Sequence, residues 1–139
     1  MAVLLVEDDE LVRMCLAEAL GDAGWHVAEA SNGGQALALA DEDGDMDEGP
    51  AVLVTDLHLG RGMDGAELVV AARRRWPRVR AVLISGADVA ETSLGPDDRF
   101  LHKPFHIGAL VGIIGELAAE HAATGRAPET PAGLDLRFR

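Results

Sequence analysis

Four carboxylates stand in a row at Glu7, Asp8, Asp9 and Glu10, directly after the apolar run AVLLV at 2–6. Like charges packed this closely repel and raise each other's pKa, so the cluster needs a cation, a lysine or open solvent. A further acid, Asp56, follows a second apolar run, AVLVT at 51–55. Ser85 ends a third, RAVLIS at 80–85, and Lys103-Pro104 follow a fourth, RFLH at 99–102. Clustered carboxylates suit a hard divalent cation such as Mg2+, which takes oxygen ligands in octahedral geometry and keeps several waters. A divalent cation with a lysine beside it is equipment for phosphoryl transfer, because both neutralise charge on the phosphoryl oxygens. No serine–histidine pair or cysteine nucleophile is evident. Asp56 itself could attack phosphorus and form an aspartyl-phosphate.

The elements around these residues alternate. A fifth strand-like run, HVAEA, lies at 26–30. Between the first two runs, Leu11, Cys15, Leu16, Ala19 and Leu20 recur at helical spacing, with Gly24 as a stop. Asp9 is expected to cap this helix and Glu10 to lie on its exposed first turn. Cys15 reads as a small core residue. Helices are also predicted over 33–42, after the turn residues Ser31-Asn32-Gly33, over 63–77, and over 106–121. In the third, Arg73, Arg74 and Arg75 fall in the last turn, where the helix dipole favours cations, and Pro77 ends it.

Continuous apolar strands alternating with helices imply a doubly wound α/β fold, with a parallel sheet covered on both faces. In such sheets the site lies beyond the carboxyl ends of the strands, at the switch point of strand order. Order 2-1-3-4-5 makes strands 1 and 3 neighbours, so Asp8 and Asp56 face each other, with Ser85 and Lys103 on the same rim. Two segments break the pattern. The acidic stretch 42–50 reads as a solvated loop. The stretch 86–98 lies where a fourth helix belongs, but its glycines, proline and weak periodicity predict a short helix or none.

The totals bound the rest. With 139 residues, 48% hydrophobic and 26% charged, the chain has the make-up of one globular domain. A formal net charge of −12 argues against a nucleic-acid surface and against binding to an anionic membrane. No window approaches the ~20 apolar residues of a membrane span. The N-terminus lacks the basic region of a signal peptide, and Cys15 alone makes no disulfide framework. These features lead to the expectation of a soluble, cytoplasmic protein. The domain is expected over 1–121, followed by a flexible tail over 122–139 whose end, LDLRFR, has enough apolar character to dock.

In order and spacing, VLLVEDDE, AVLVTDLHLGRGMDG, AVLISG and FLHKPF resemble the receiver domain of two-component response regulators, over roughly residues 2–121. The resemblance implies a five-stranded flavodoxin-like fold and, at matching positions, a division of roles. Asp56 would be the phosphoacceptor. Asp8, Asp56 and the backbone carbonyl of His58 would ligate Mg2+, with Glu7 acting through water. Ser85 would hydrogen-bond the phosphoryl group, Lys103 would pair with it, and Phe100 would be the switch aromatic. The Lys103–Pro104 bond would be cis. A histidine kinase or histidine phosphotransfer protein would be the donor, and the chain could stand alone or be the receiver segment of a hybrid kinase; the downstream protein partner is unknown. It would be a signalling switch rather than an enzyme, with no DNA-binding output. The short 86–98 stretch departs from the family, which keeps a pseudo-receiver binding module, working without phosphorylation, as the alternative. Two other α/β classes fit less well. A haloacid-dehalogenase phosphatase wants a second aspartate where His58 stands. A nucleotide- or flavin-binding domain needs a glycine-rich turn where Glu7, Asp8 and Asp9 would repel phosphate.

Overall fold

The computed structural model describes residues 2–42, 49–60, 62–86 and 98–125. Five strands, β1 (Ala2–Val6), β2 (His26–Ala30), β3 (Val52–Asp56), β4 (Arg80–Ser85) and β5 (Arg99–His102), form one parallel sheet in the order β2-β1-β3-β4-β5. Four described helices cover it: α1 (Glu10–Asp22), α2 (Gly33–Glu42), α3 (Gly65–Arg75) and α4 (Ile107–Gly125). This is the doubly wound sheet and strand order expected from the sequence.

Side-chain alternation divides the core into two layers. Leu4, Val6, Leu53, Ala81 and Leu83 point to the face covered by α2 and α3, where Ala36, Leu68 and Ala72 are buried. Val3, Leu5, Val52, Val54, Val82 and Ile84 point to the face covered by α1 and α4, against Leu16, Leu20, Leu110, Ile114 and Leu117. Both faces of the central strands are therefore apolar, which is why β1, β3 and β4 read as continuous apolar runs.

Several boundaries move. The third strand spans Val52–Asp56 rather than 51–55, so Asp56 is its last residue. The helix expected over 63–77 spans Gly65–Arg75. Asp64 caps it, accepting from the Glu67 N–H while the Glu67 side chain accepts from the Asp64 N–H. The last helix runs past 121 to Gly125. Cys15 and Leu11 are exposed, not core, because the buried stripe of α1 is Leu16 and Leu20. The expected short or missing helix of 86–98 lies largely outside the described residues, as do 43–48 in the acidic loop and 126–139 in the tail.

Candidate functional site

The sheet delivers its strand ends to one rim. Glu7 follows β1 and is buried, Asp8 is exposed beside it, and Asp56 ends β3 at 6% exposure. Carboxylate oxygens of these three residues lie within 4.8 Å of one another. Lys103, after β5, donates from Nζ to Asp56 Oδ2 at 2.7 Å and stands 3.9 Å from Glu7 Oε1. The other Asp56 oxygen, Oδ1, accepts from the His58 backbone N–H at 3.0 Å. Both oxygens of Asp56 are thus held in fixed directions.

Local structure explains the placement. Asp9 caps α1 as expected, accepting from the N–H groups of Leu11 and Val12. Its own N–H donates to Glu7 Oε2 at 3.0 Å, which turns the Glu7 carboxylate toward the rim. Arg13 Nη1 donates to the Glu7 carbonyl at 3.0 Å. Ser85 is fully buried at the end of β4, and its carbonyl accepts from the Lys103 N–H at 2.9 Å. The following Lys103–Pro104 peptide is cis.

Phe100 sits differently from the rest. The β4–β5 register sets it beside Leu83, and sets His102 beside Ser85. Its ring is half-buried on the α2/α3 side of the core and lies 4.7 Å from the His102 ring. The side chain of His58 is exposed.

Two supporting residues escaped the sequence reading. A Cβ on Gly65 would lie 2.4 Å from the Asp56 carbonyl oxygen, so only glycine lets the start of α3 pack on the end of β3. The single signal was its place after Asp64 at the helix start. Thr55, fully buried, donates from Oγ1 to the same carbonyl at 2.9 Å. Nothing in the apolar run AVLVT distinguishes it from a core filler.

The electrostatics are unbalanced: three carboxylates face one ammonium. Burial, with the charge of Asp56 adding to it, pushes the Glu7 carboxyl up to about 7, against the hydrogen bond from Asp9. Partial burial opposes the Lys103 ammonium, but the hydrogen bond and charge of Asp56, helped by Glu7 and Asp8, outweigh it and raise its pKa. The donor set is all hard oxygen, the chemistry a small divalent cation selects. Opposite ligands of Mg2+ lie ~4.2 Å apart, close to the spread of these oxygens. The residues fit such an ion.

A parallel five-stranded α/β sheet with an acid cluster and a lysine at its switch point defines a class of phosphoryl-handling folds. The family model for the response regulator receiver domain matches residues 3–115, and the chain belongs to that family. It is 36% identical over 118 residues to the response regulator receiver protein CpdR of Brucella abortus (strain 2308), covering 81% of this chain and 92% of that protein. It is 34% identical over 120 residues to the sensor kinase CckA of the same organism, covering 83% of this chain but 12% of that protein. Among solved structures, a response regulator receiver protein from Sinorhizobium medicae WSM419 superposes with a TM-score of 0.77 at 26% identity, covering 87% of this chain and 96% of that one. The receiver domain of the hybrid histidine kinase CckA superposes with a TM-score of 0.69 at 29% identity, covering 85% and 99%. No helix among the described residues is long and apolar enough to cross a membrane.

Proposed function

We propose that this receiver domain accepts a phosphoryl group on Asp56 from a phosphohistidine of a histidine kinase or histidine phosphotransfer protein. The observation that carries the reading is the double restraint on Asp56, by Lys103 on one oxygen and the His58 N–H on the other, inside a three-carboxylate cluster. An Asp56 carboxylate oxygen attacks phosphorus as the donor's P–N bond breaks, and the bond's electron pair returns to the imidazole nitrogen. The product is an acyl phosphate, and the step needs no oxidant or reductant.

Asp8, Asp56, the His58 carbonyl and, through water, Glu7 would hold Mg2+, whose charge would offset that of the phosphoryl oxygens. Lys103 leaves its ion pair with Asp56 and pairs with the phosphoryl group. Ser85 donates to the same group, and Phe100 follows Ser85 inward to alter a partner-binding surface. Turnover is limited to self-catalysed phosphotransfer and dephosphorylation, so the domain is a switch rather than an enzyme acting on outside substrates. The alternative is a protein-binding module that never carries phosphate.

Intact-protein mass after incubation with acetyl phosphate, with and without Mg2+, separates the two. The reading expects an Mg2+-dependent phosphoryl adduct on the wild type and none on Asp56→Asn. No adduct on either would leave the binding module. An equal adduct on Asp56→Asn would move the acceptor elsewhere.

A further inference from the structure

On the reading that Glu7 and Asp8 hold Mg2+, we infer that Arg13 is a positioning residue for that ion: it fixes the Glu7 carbonyl, and Glu29 fixes its guanidinium.

Arg13 stands one turn into α1, at the end of the helix where the dipole favours acids over cations. A cation there needs a local reason. Its N–H closes the first helical turn on the Asp9 carbonyl at 2.9 Å, and helical side chains lean back over the turn that precedes them. The guanidinium therefore reaches the end of β1, where Nη1 donates to the Glu7 carbonyl at 3.0 Å. Nε lies 3.5 Å from Glu29 Oε1 on β2, and the Arg13 side chain is only 17% exposed. Alternation along β2 puts Glu29 on the same face as Val27, the face that α1 covers. An arginine suits the position because its planar fork aims both donors in fixed directions.

The bond to the carbonyl completes a set of restraints around Asp8. The Glu7 N–H donates to the Ala30 carbonyl at 3.0 Å, and the Asp9 N–H donates to Glu7 Oε2 at 3.0 Å. The Glu7 carbonyl belongs to the planar peptide that leads into Asp8, so holding it sets the path of the Asp8 backbone. Asp8 is exposed, and its carboxylate is aimed by that backbone rather than by packing. Lys103, by contrast, is bonded to Asp56 itself. Neither contact of Arg13 uses an oxygen of the Glu7, Asp8 and Asp56 cluster, so Arg13 holds the turn without competing for a ligand oxygen.

Charge and position predict opposite signs for the loss of Arg13. Removing a cation from the neighbourhood should tighten Mg2+ binding by Coulomb's law. Removing a group that orients the ligands should weaken it. Titration calorimetry of the full chain with Mg2+ alone separates the two. Arg13→Met, which keeps the apolar stem, should raise the Kd about tenfold. Arg13→Lys keeps the charge and one donor but not the fork, so its Kd should fall between that variant and wild type. It carries the test alone if Arg13→Met does not fold. At saturating Mg2+ the acetyl phosphate adduct should form at the wild-type rate, because Arg13 acts on the ligands and not on the acceptor. An unchanged or lower Kd in the folded variants would overturn the inference alone. A slower adduct at saturating Mg2+ would also overturn it, assigning Arg13 to the fold at large. No Mg2+ binding by wild type would overturn the reading of the site, and the role of Arg13 with it.

Discussion

Glu7 is buried between a backbone donor and a like charge, and its ionisation at neutral pH is resisted by both its burial and Asp56. Its folded-state pKa of about 7 lies above that of an unfolded glutamate, ~4.3. Between those values the folded protein holds one more proton than the unfolded chain. Stability therefore falls as pH rises through that window and levels off above it. The loss from this one group is on the order of 2–3 kcal/mol. In chelator, Glu7→Gln should gain stability over wild type as pH goes from 5 to 8, read as diverging urea midpoints. Parallel midpoints would remove Glu7 as the source. A cation held by Glu7 through water favours the ionised carboxylate, so Mg2+ binding near pH 7 should liberate protons in wild type and fewer in Glu7→Gln. Calorimetry in two buffers of different ionisation enthalpy measures this. Lys103 acts in the opposite sense, offsetting the charge of the acids without being a ligand. Lys103→Ala should retain Mg2+ affinity, and a large loss in a metal titration would contradict that division.

At the scale of elements, a bidentate pair ties the last turn of α3 to the residue that opens β5. Arg73, in the last turn of α3, donates from Nη1 and Nη2 to Asp98 at 3.0 and 2.7 Å, and from Nη2 to the Val79 carbonyl at 2.8 Å. The Asp98 side chain is 1% exposed. Arg73→Met removes two charge-assisted hydrogen bonds from the buried Asp98 carboxylate and should cost about 1–3 kcal/mol in urea unfolding. Because β5 leads to Lys103, hydrogen exchange should also rise across 99–103. The sequence placed Arg73 in the last turn for its dipole, but its partner is 25 residues away and no periodicity links the two. The central strands β1, β3 and β4 were legible because two-sided burial leaves unbroken apolar runs, and the rim followed because each run stops at a polar residue. The buried stripe of α1 was not legible. Leu11 and Cys15 sit at the same helical spacing as Leu16 and Leu20, and only packing against the sheet and α4 decides which stripe is inside. Gly65 was missed for a similar reason, since its value lies in the approach of a distant carbonyl.

The whole molecule carries a net charge of −12, and three of its carboxylates crowd one rim. Divalent cations can therefore stabilise it in two ways, by screening overall repulsion or by occupying the site, and magnitude separates them. Screening acts on all charges and depends on ionic strength, with a Debye length near ~10 Å at about 0.1 M. Site binding favours the folded state by RT ln(1 + [L]/Kd), about 2.7 kcal/mol at a hundredfold excess over Kd. For a chain of this size that is a Tm rise of roughly 8–12 °C. Mg2+ should thus raise Tm far more than NaCl of equal ionic strength, and the excess should vanish in Asp8→Asn, which keeps most of the net charge. Glu7→Gln should start from a higher Tm in chelator and gain less from Mg2+, because part of what the ion relieves in wild type is the cost of ionising Glu7. If Mg2+ and matched NaCl raised Tm equally, or Asp8→Asn kept the full excess, the stabilisation would belong to the charge of the molecule as a whole and not to its strand-end site.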